Sequence, residues 1–257
     1  MDAKSDSALR RSTEQHVRFI HGWTDNLWSL RVDKPADFHF QPGHYARLGL
    51  PVADVAPLWR PYSIVSAPSE PQLEFLITLI PDGAFTCLLV KLRVGDPVLL
   101  ESAALGFFFE PQLAPGEDLW MLSTGAGLGP YVSLLRTPQA LARYRRLVLV
   151  HSVRAAAELA YADELNMLAA ASGGRLCYLP VVTRETGATV LSERIPQLIA
   201  DGRLPAHLGL QFDAVTSRVM VCGNPDFTAD MRRLLNARGF TPCRRGLAGS
   251  MLFENYW

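Results

Sequence analysis

Polar and apolar positions change their rhythm partway along the chain. Up to about residue 101 they alternate in short runs, over residues 16–20, 27–32, 45–50, 62–66, 73–80 and 98–101. Period-two alternation turns one face of each strand to a core and the other to solvent. Pro42-Gly43, Pro81-Asp82-Gly83 and Val94-Gly95-Asp96-Pro97 separate the runs. Six short strands at this spacing predict an antiparallel β-barrel, interrupted by one short helix over 85–92. Beyond a Pro/Gly-containing connector at 111–116 the pattern differs. Apolar runs at 119–122, 147–150, 176–182 and 219–222 alternate with helical periodicity from 131 to 136 and over 155–171, 191–200 and 227–238. Apolar strands alternating with helices predict a parallel sheet covered on both faces. The expected fold is a two-domain α+β protein: a polar, mobile extension over 1–15, an antiparallel β-barrel domain over 16–113 and an α/β parallel-sheet domain over 114–257.

Composition narrows the function classes. The chain has 257 residues, 49% of them hydrophobic, and its 25 basic and 25 acidic side chains cancel. Such balance gives no overall field to draw in nucleic acid or an anionic membrane. Cys87, Cys177, Cys222 and Cys243 are scattered, with no CxxC. Iron–sulfur clusters and structural zinc need clustered thiolates, and a disulfide framework is not expected at this size. His21, His39, His44, His151 and His207 show no metal-ligand spacing, so no metal site is expected. No apolar run approaches the roughly 18 residues of a membrane span, and the polar start lacks a signal peptide's apolar core. A cytoplasmic monomer is the expectation.

Several segments suggest chemistry. The chain ends on Glu254-Asn255-Tyr256-Trp257, two large aromatics that either enter a core or cover something flat. In Arg60-Pro61-Tyr62-Ser63, Arg60 can clamp a phosphate, Tyr62 can stack on a planar ring and Ser63 can hydrogen-bond a ring nitrogen. The alternative for this segment is an ordinary barrel strand. Thr124-Gly125-Ala126-Gly127-Leu128-Gly129-Pro130 lies between a strand and a helix, where glycines let backbone amides approach a diphosphate. Its third glycine falls one residue early for GxGxxG, so a structural tight turn competes with that reading. Arg154, Thr183-Arg184 and Arg194 follow or flank the parallel strands and could converge on a dianionic phosphate, or could be solvated strand-end charges.

Taken in order, these segments with Pro81-Asp82-Gly83, Gly106-Phe107-Phe108 and Cys222-Gly223-Asn224-Pro225 resemble the ferredoxin/flavodoxin–NADP⁺ reductase family of bacterial type, from about Val17 to Trp257. The resemblance implies that the barrel binds FAD and the α/β domain binds NADP. FAD would be held by Arg60, Pro61, Tyr62 and Ser63, by the backbone of Leu76, Ile77 and Thr78, by Ala84, Phe85 and Thr86 around its diphosphate, and by Ala126. Tyr256 would cover the flavin and Trp257 would lie near the adenine, making the terminus a gate. NADP would be held by Thr124, Gly125 and Gly127, by Gly223, Asn224 and Pro225, and at its 2′-phosphate by Arg154, Thr183, Arg184 and Arg194. Ser63, Cys222 and Glu254 match the family's active-site trio. The sequence departs from the family at Ala126, where a second Thr is common.

The implied activity is hydride transfer from NADPH to FAD, then release of single electrons to ferredoxin or flavodoxin. Arg47, Arg93, Arg244 and Arg245 are candidates for docking an acidic carrier. One rival, a reductase component carrying an iron–sulfur or haem domain, has no clustered cysteines to support it. Another is a flavin-binding redox sensor or electron-transfer subunit without NADPH turnover, which would need neither the arginines nor the Cys222–Glu254 pair.

Overall fold

A computed structural model describes residues 12–52, 55–137 and 141–255. The chain divides into two compact units: residues 1–107 with 132–137, and residues 108–131 with 138–257. The division falls six residues before the connector at 113/114, and a short helical segment of the second half joins the first unit.

The first unit is a six-stranded antiparallel sheet. Its strands are β1 (Ser12–Thr24), β2 (Leu27–Asp33), β3 (Tyr45–Val52), β4 (Val55–Ser63), β5 (Gln72–Thr78) and β6 (Pro97–Glu101), in the order β4-β3-β6-β1-β2-β5. The two edges curl toward each other. Ile64 bridges Phe75, and the Val65 N–H donates to the Glu74 carbonyl at 2.8 Å, so the sheet approaches a barrel joined at one point. Val17, Leu48, Ile64, Leu73, Phe75, Ile77 and Leu100 fill the interior.

Three expectations are corrected here. Residues 12–15, read as part of a mobile extension, are strand: β1 starts at Ser12 and pairs with β6 from Ser12↔Glu101 to His16↔Pro97. Their polar side chains are compatible with a strand because only one face must be apolar. The strand expected at 62–66 starts earlier, at Val55, despite Pro57 and Pro61. It lies at the sheet edge, where a missing N–H removes no ladder bond. The short helix is α1 (Thr86–Leu89).

The second unit carries a five-stranded parallel sheet of β7 (Asp118–Thr124), β8 (Arg146–Val153), β9 (Leu176–Val182), β10 (Ser217–Gly223) and β11 (Met251–Asn255), in the order β11-β10-β7-β8-β9. β7 to β10 match the apolar runs; β11 is a strand the pattern did not announce. Helices α2 (Gly129–Leu135), α3 (Ala162–Ala171), α4 (Ile195–Ala200), α5 (Arg203–Leu208) and α6 (Pro225–Ala237) connect them. The helix expected over 155–171 is broken: a 3₁₀ turn at Ala156–Glu158 is followed by Tyr161 at φ +58°, and only then by α3. Trp120, Leu122, Val148, Val150, Val219, Val221 and Met231 form the core. The chain moves outward from β7 in one direction to β8 and β9, and in the other to β10 and β11. This reversal opens a crevice at the carboxyl ends of β7 and β10, the usual ligand position in such sheets.

Among the described residues, no helix is long and apolar enough to cross a membrane, and all four cysteines are free.

Candidate functional site

At the carboxyl ends of β7, β10 and β11, three residues stand in register: Ser123, Cys222 and Glu254. The Cys222 thiol is fully buried and donates to a Glu254 carboxylate oxygen at 3.8 Å. Burial, reinforced by the Glu254 charge, pushes the Cys222 thiol well above its ordinary pKa. A thiol in that environment is a packing surface and weak donor, not a nucleophile. Tyr131 stands close behind, completely buried, with its hydroxyl donating to the Leu122 carbonyl at 3.2 Å. Burial and then the neighbouring Cys222 and Glu254 raise its pKa as well.

The glycine turn closes onto the same strand end. β7 finishes at Thr124, a 3₁₀ turn spans Gly125–Leu128, and α2 starts at Gly129. Gly127 passes so close to β10 that a Cβ there would lie 2.5 Å from the Cys222 carbonyl oxygen, and one on Gly223 would lie 2.1 Å from Thr124 Oγ1. Both glycines are required by crowding. Gly125 is different: at φ +53° it needs glycine for its backbone, yet among the described residues a Cβ would meet nothing within 4 Å beyond its chain neighbours, so its outer side is open among these residues. The Asn224 N–H and Nδ2–H both point at Thr124 Oγ1, at 3.3 and 3.4 Å. Asn224 Oδ1 accepts from the Phe227 N–H at 2.9 Å and, with Pro225 behind it, caps α6. Gly223, Asn224 and Pro225 therefore have a structural task of their own at this crevice.

Two of the sequence-selected arginines follow neighbouring strands. Arg154 comes directly after β8; Thr183 and Arg184 come directly after β9. The Thr183 N–H and hydroxyl both donate to the Val153 carbonyl, and the Arg184 N–H to the Arg154 carbonyl at 2.9 Å. The Arg184 side chain is exposed. Arg194 is exposed too, as the N-cap residue of α4. Arg154 is already engaged: its backbone N–H donates to Glu158 Oε2 at 2.9 Å, and its guanidinium to Glu158 Oε1 through Nη2 at 2.5 Å and Nε at 3.1 Å. Burial opposes the Glu158 charge, but these bonds prevail and hold its carboxyl below the usual range. Pairing with Glu158 both orients Arg154 and offsets part of its field.

In the first unit, Arg60, Pro61, Tyr62 and Ser63 end β4. Arg60 and Pro61 are exposed, Ser63 is buried, and Arg60 Nη1 donates to its neighbour's carbonyl, that of Trp59, at 2.8 Å. The half-buried Tyr62 ring leans on Phe85, with centroids 5.7 Å apart. Burial raises the Tyr62 hydroxyl's pKa, with Arg60 opposing; the phenol stays protonated and able to donate. Leu76, Ile77 and Thr78 end β5, an edge strand whose inner side pairs with β2. Backbone groups on its outer side are not used by that ladder, as a ligand contact through backbone would need. Ala84 is exposed, whereas the buried Thr86 hydroxyl donates to the Ile80 carbonyl at 2.6 Å, which fixes the turn into α1. Ala126 is buried in the second unit. Tyr256 and Trp257 lie outside the described residues.

One residue of this neighbourhood escaped the sequence reading. His151, weighed there only as a metal ligand, is fully buried on β8, in register with Ser123, and its Nε2 lies 3.0 Å from the Gly125 carbonyl. Its sequence signal was a polar residue inside an otherwise apolar parallel strand. Among the described residues, no group of three His, Cys, Asp or Glu could hold a metal ion.

Comparison with known proteins agrees with this geometry. Residues 13–87 match the family model of an FAD-binding domain, and residues 121–233 that of an oxidoreductase NAD-binding domain. The chain is 41% identical over 242 residues to a flavodoxin/ferredoxin–NADP reductase of Escherichia coli (strain K12), covering 94% of this chain and 97% of that protein. It is 34% identical over 250 residues to a ferredoxin–NADP reductase of Pseudomonas aeruginosa, covering 93% and 95%. Its fold superposes with a TM-score of 0.91 on the crystal structure of a ferredoxin NADP⁺ reductase from Neisseria gonorrhoeae with bound FAD and NADP, at 32% identity over 96% of this chain and 99% of that one.

Proposed function

The chain belongs to the flavodoxin/ferredoxin–NADP reductase family, and on that premise we propose how its residues divide the work of an FAD-dependent oxidoreductase that exchanges electrons between NADPH and ferredoxin or flavodoxin. The observation that carries this reading is the crevice at the ends of β7, β10 and β11, where the glycine turn, Gly223 and the Cys222–Glu254 pair meet.

FAD, when bound, supplies the step between two-electron and one-electron chemistry that no side chain can perform. The protein's task is geometry. Tyr62 offers a ring and a protonated hydroxyl; the outer edge of β5 at Leu76–Thr78 offers backbone groups; Arg60 offers a charge for a phosphate. In the second unit the open side of Gly125 and the crowded Gly127 give a diphosphate a close approach to backbone. The protonated, buried Cys222 gives a nicotinamide an apolar floor, and Glu254 sets a polar group beside it. Ser63 is assigned to the flavin's polar edge, and Tyr256 and Trp257 to covering the flavin. The exposed Arg184 and Arg194 are assigned to recognising a 2′-phosphate, with the Thr183 hydroxyl turning to it from the Val153 carbonyl. Arg154 joins them as a guanidinium already oriented by Glu158. Exposed Arg93, Arg244 and Arg245, with Arg47, are assigned to docking an acidic carrier. Of these, Arg47 is half committed, to Glu101 at 3.7 Å. We place this activity in a cytoplasmic monomer.

Anaerobic stopped-flow absorbance tests the reading. The flavin should bleach rapidly with NADPH and at least about tenfold more slowly with NADH, the discrimination that one charge-assisted phosphate contact supplies. Equal rates with the two nucleotides would remove the arginine assignment and leave the enzyme. A bound flavin that neither nucleotide reduces would leave a sensor or passive electron-transfer subunit.

A further inference from the structure

We infer that His151 is a positioning residue for the nucleotide site: its imidazole, donating Nε2–H to the Gly125 carbonyl, fixes the glycine turn on which the NADPH diphosphate would rest. The inference depends on the assignment of that turn to NADP.

The turn from Thr124 to Gly129 is held unevenly. Both sides of Gly125 are held: Gly127 abuts the Cys222 carbonyl, and Thr124 is bonded by Asn224. Gly125 itself, at the head of the 3₁₀ turn, has the turn's backbone bonds but no side-chain support of this kind among the described residues. Its φ of +53° is one that only glycine adopts cheaply, and among the described residues nothing beyond its chain neighbours lies within 4 Å of where a Cβ would stand. A glycine with open space around it keeps its freedom unless a hydrogen bond removes it. His151 supplies that bond from beneath, at 3.0 Å, from a rigid position in the middle of the sheet between β7 and β9.

The tautomer follows from the surroundings. Nδ1 of His151 is buried and has no hydrogen-bond partner among the described residues. Were the proton on Nδ1, a buried donor would be unmet and the Nε2 lone pair would face the Gly125 oxygen. Protonating both nitrogens would leave an unmet donor and a buried charge. With the proton on Nε2, one acceptor goes unpaired but every N–H is bonded and no charge is buried. Burial lowers the His151 pKa to about 4, with the Gly125 carbonyl and then Glu158 acting against it, so the ring stays neutral at working pH and the bond is not switched off. A leucine would fill the same space without an unpartnered nitrogen. A buried imidazole that forgoes one hydrogen bond is explained by what its other nitrogen holds.

The test uses the FAD-loaded enzyme and its His151→Leu, His151→Gln and His151→Asn variants. Calorimetric titration with NADP⁺ reads binding without turnover. His151→Leu should weaken NADP⁺ about three- to tenfold, the value of one neutral hydrogen bond, with FAD content unchanged. Gln, whose amide reaches the Nε2 position, should restore affinity to within about twofold. Asn, whose amide stops at the Nδ1 position, should not, and this Gln–Asn contrast stands even if the leucine variant fails to fold. In steady state the loss should appear in KM for NADPH while kcat is spared. Nitrogen-15 NMR of the unsubstituted protein should show the Nε2–H tautomer. Equal NADP⁺ affinity in Gln and Asn variants, or an Nδ1–H tautomer, overturns the inference. An unsubstituted protein that binds NADP⁺ but never reduces its flavin would instead overturn the functional assignment and leave the His151 result standing.

Discussion

The two units build a binding surface in opposite ways. In the antiparallel unit the candidate residues are neighbours in sequence: Arg60 to Ser63 end one strand, and Leu76 to Thr78 end another. In the α/β unit they are strangers. Thr124 meets Asn224 across a hundred residues, Gly127 touches Cys222, Cys222 meets Glu254, and His151 reaches back to Gly125. Edge strands expose consecutive residues and unspent backbone, so a contiguous motif suffices. Parallel strands converge only at their ends, so a site there must be assembled from several loops. The first kind of site depends on one strand staying in place, the second on close contact between separate chain segments.

This contrast can be broken most forcefully in the first unit. Glu74 on β5 is buried and accepts from Arg136 Nη1 at 2.7 Å, with Arg31 Nε 3.3 Å away and Glu70 a second, longer partner of Arg136. Arg136 belongs to the helical segment that joins this unit. Glu74→Ala removes the central carboxylate and should cost about 3–5 kcal/mol, as loss of one member of a buried ion pair does. FAD should be released at lower temperature, read by flavin fluorescence during thermal unfolding, while NADP⁺ affinity at 25 °C stays within about twofold. A parallel loss of NADP⁺ binding would show that the two surfaces are not built independently.

Gly127→Ala should do the reverse. The new methyl would meet the Cys222 carbonyl, a backbone group that cannot rotate away, and such overpacking costs up to about 3 kcal/mol. Nucleotide affinity and NADPH-dependent flavin reduction should fall together, with the flavin spectrum intact. Unchanged NADP⁺ binding would mean that the crowded turn is not the seat of the diphosphate.

The most gradual effect concerns pH. His151 titrates near 4 when folded against about 6.5 when unfolded. The unfolded chain therefore binds more protons between those values. Stability is fully present above about pH 6.5 and declines as pH falls toward 4, by about 3 kcal/mol. Chemical denaturation across this range should show a shallower decline in His151→Gln than in the unsubstituted protein. Identical slopes would mean that His151 is not the buried neutral group described here.

Alternation and apolar runs were enough for the fold class, for β7 to β10 and for the two families of elements, because burial of one face or both leaves a periodic trace. They failed where context overrides periodicity. The strand expected at 62–66 starts at Val55, and its Pro57 and Pro61 sit at an edge where no N–H is needed. Ser12 to Gln15 read as polar tail, yet they pair with β6. β11 carries so short a pattern that its final residues read only as a terminal motif. The uninterrupted helix over 155–171 was a misreading, since nothing local in that stretch announces the left-handed Tyr161.

What the sequence determined by itself, then, is the chemistry on offer: an arginine, tyrosine and serine on one strand, a glycine-rich turn, scattered strand-end arginines, and a cysteine and a carboxylate far apart. These are properties of residue type and spacing, set before the chain folds. Only tertiary structure decided which of them act together. The register of β10 with β11 joins Cys222 to Glu254; the crossing of two strand ends makes Gly127 and Gly223 obligatory; Glu158 takes hold of Arg154; and an unremarkable histidine inside β8 comes to support the turn. Such pairings depend on sheet order and on distances of a few ångströms between segments up to a hundred residues apart, and a one-dimensional pattern carries neither.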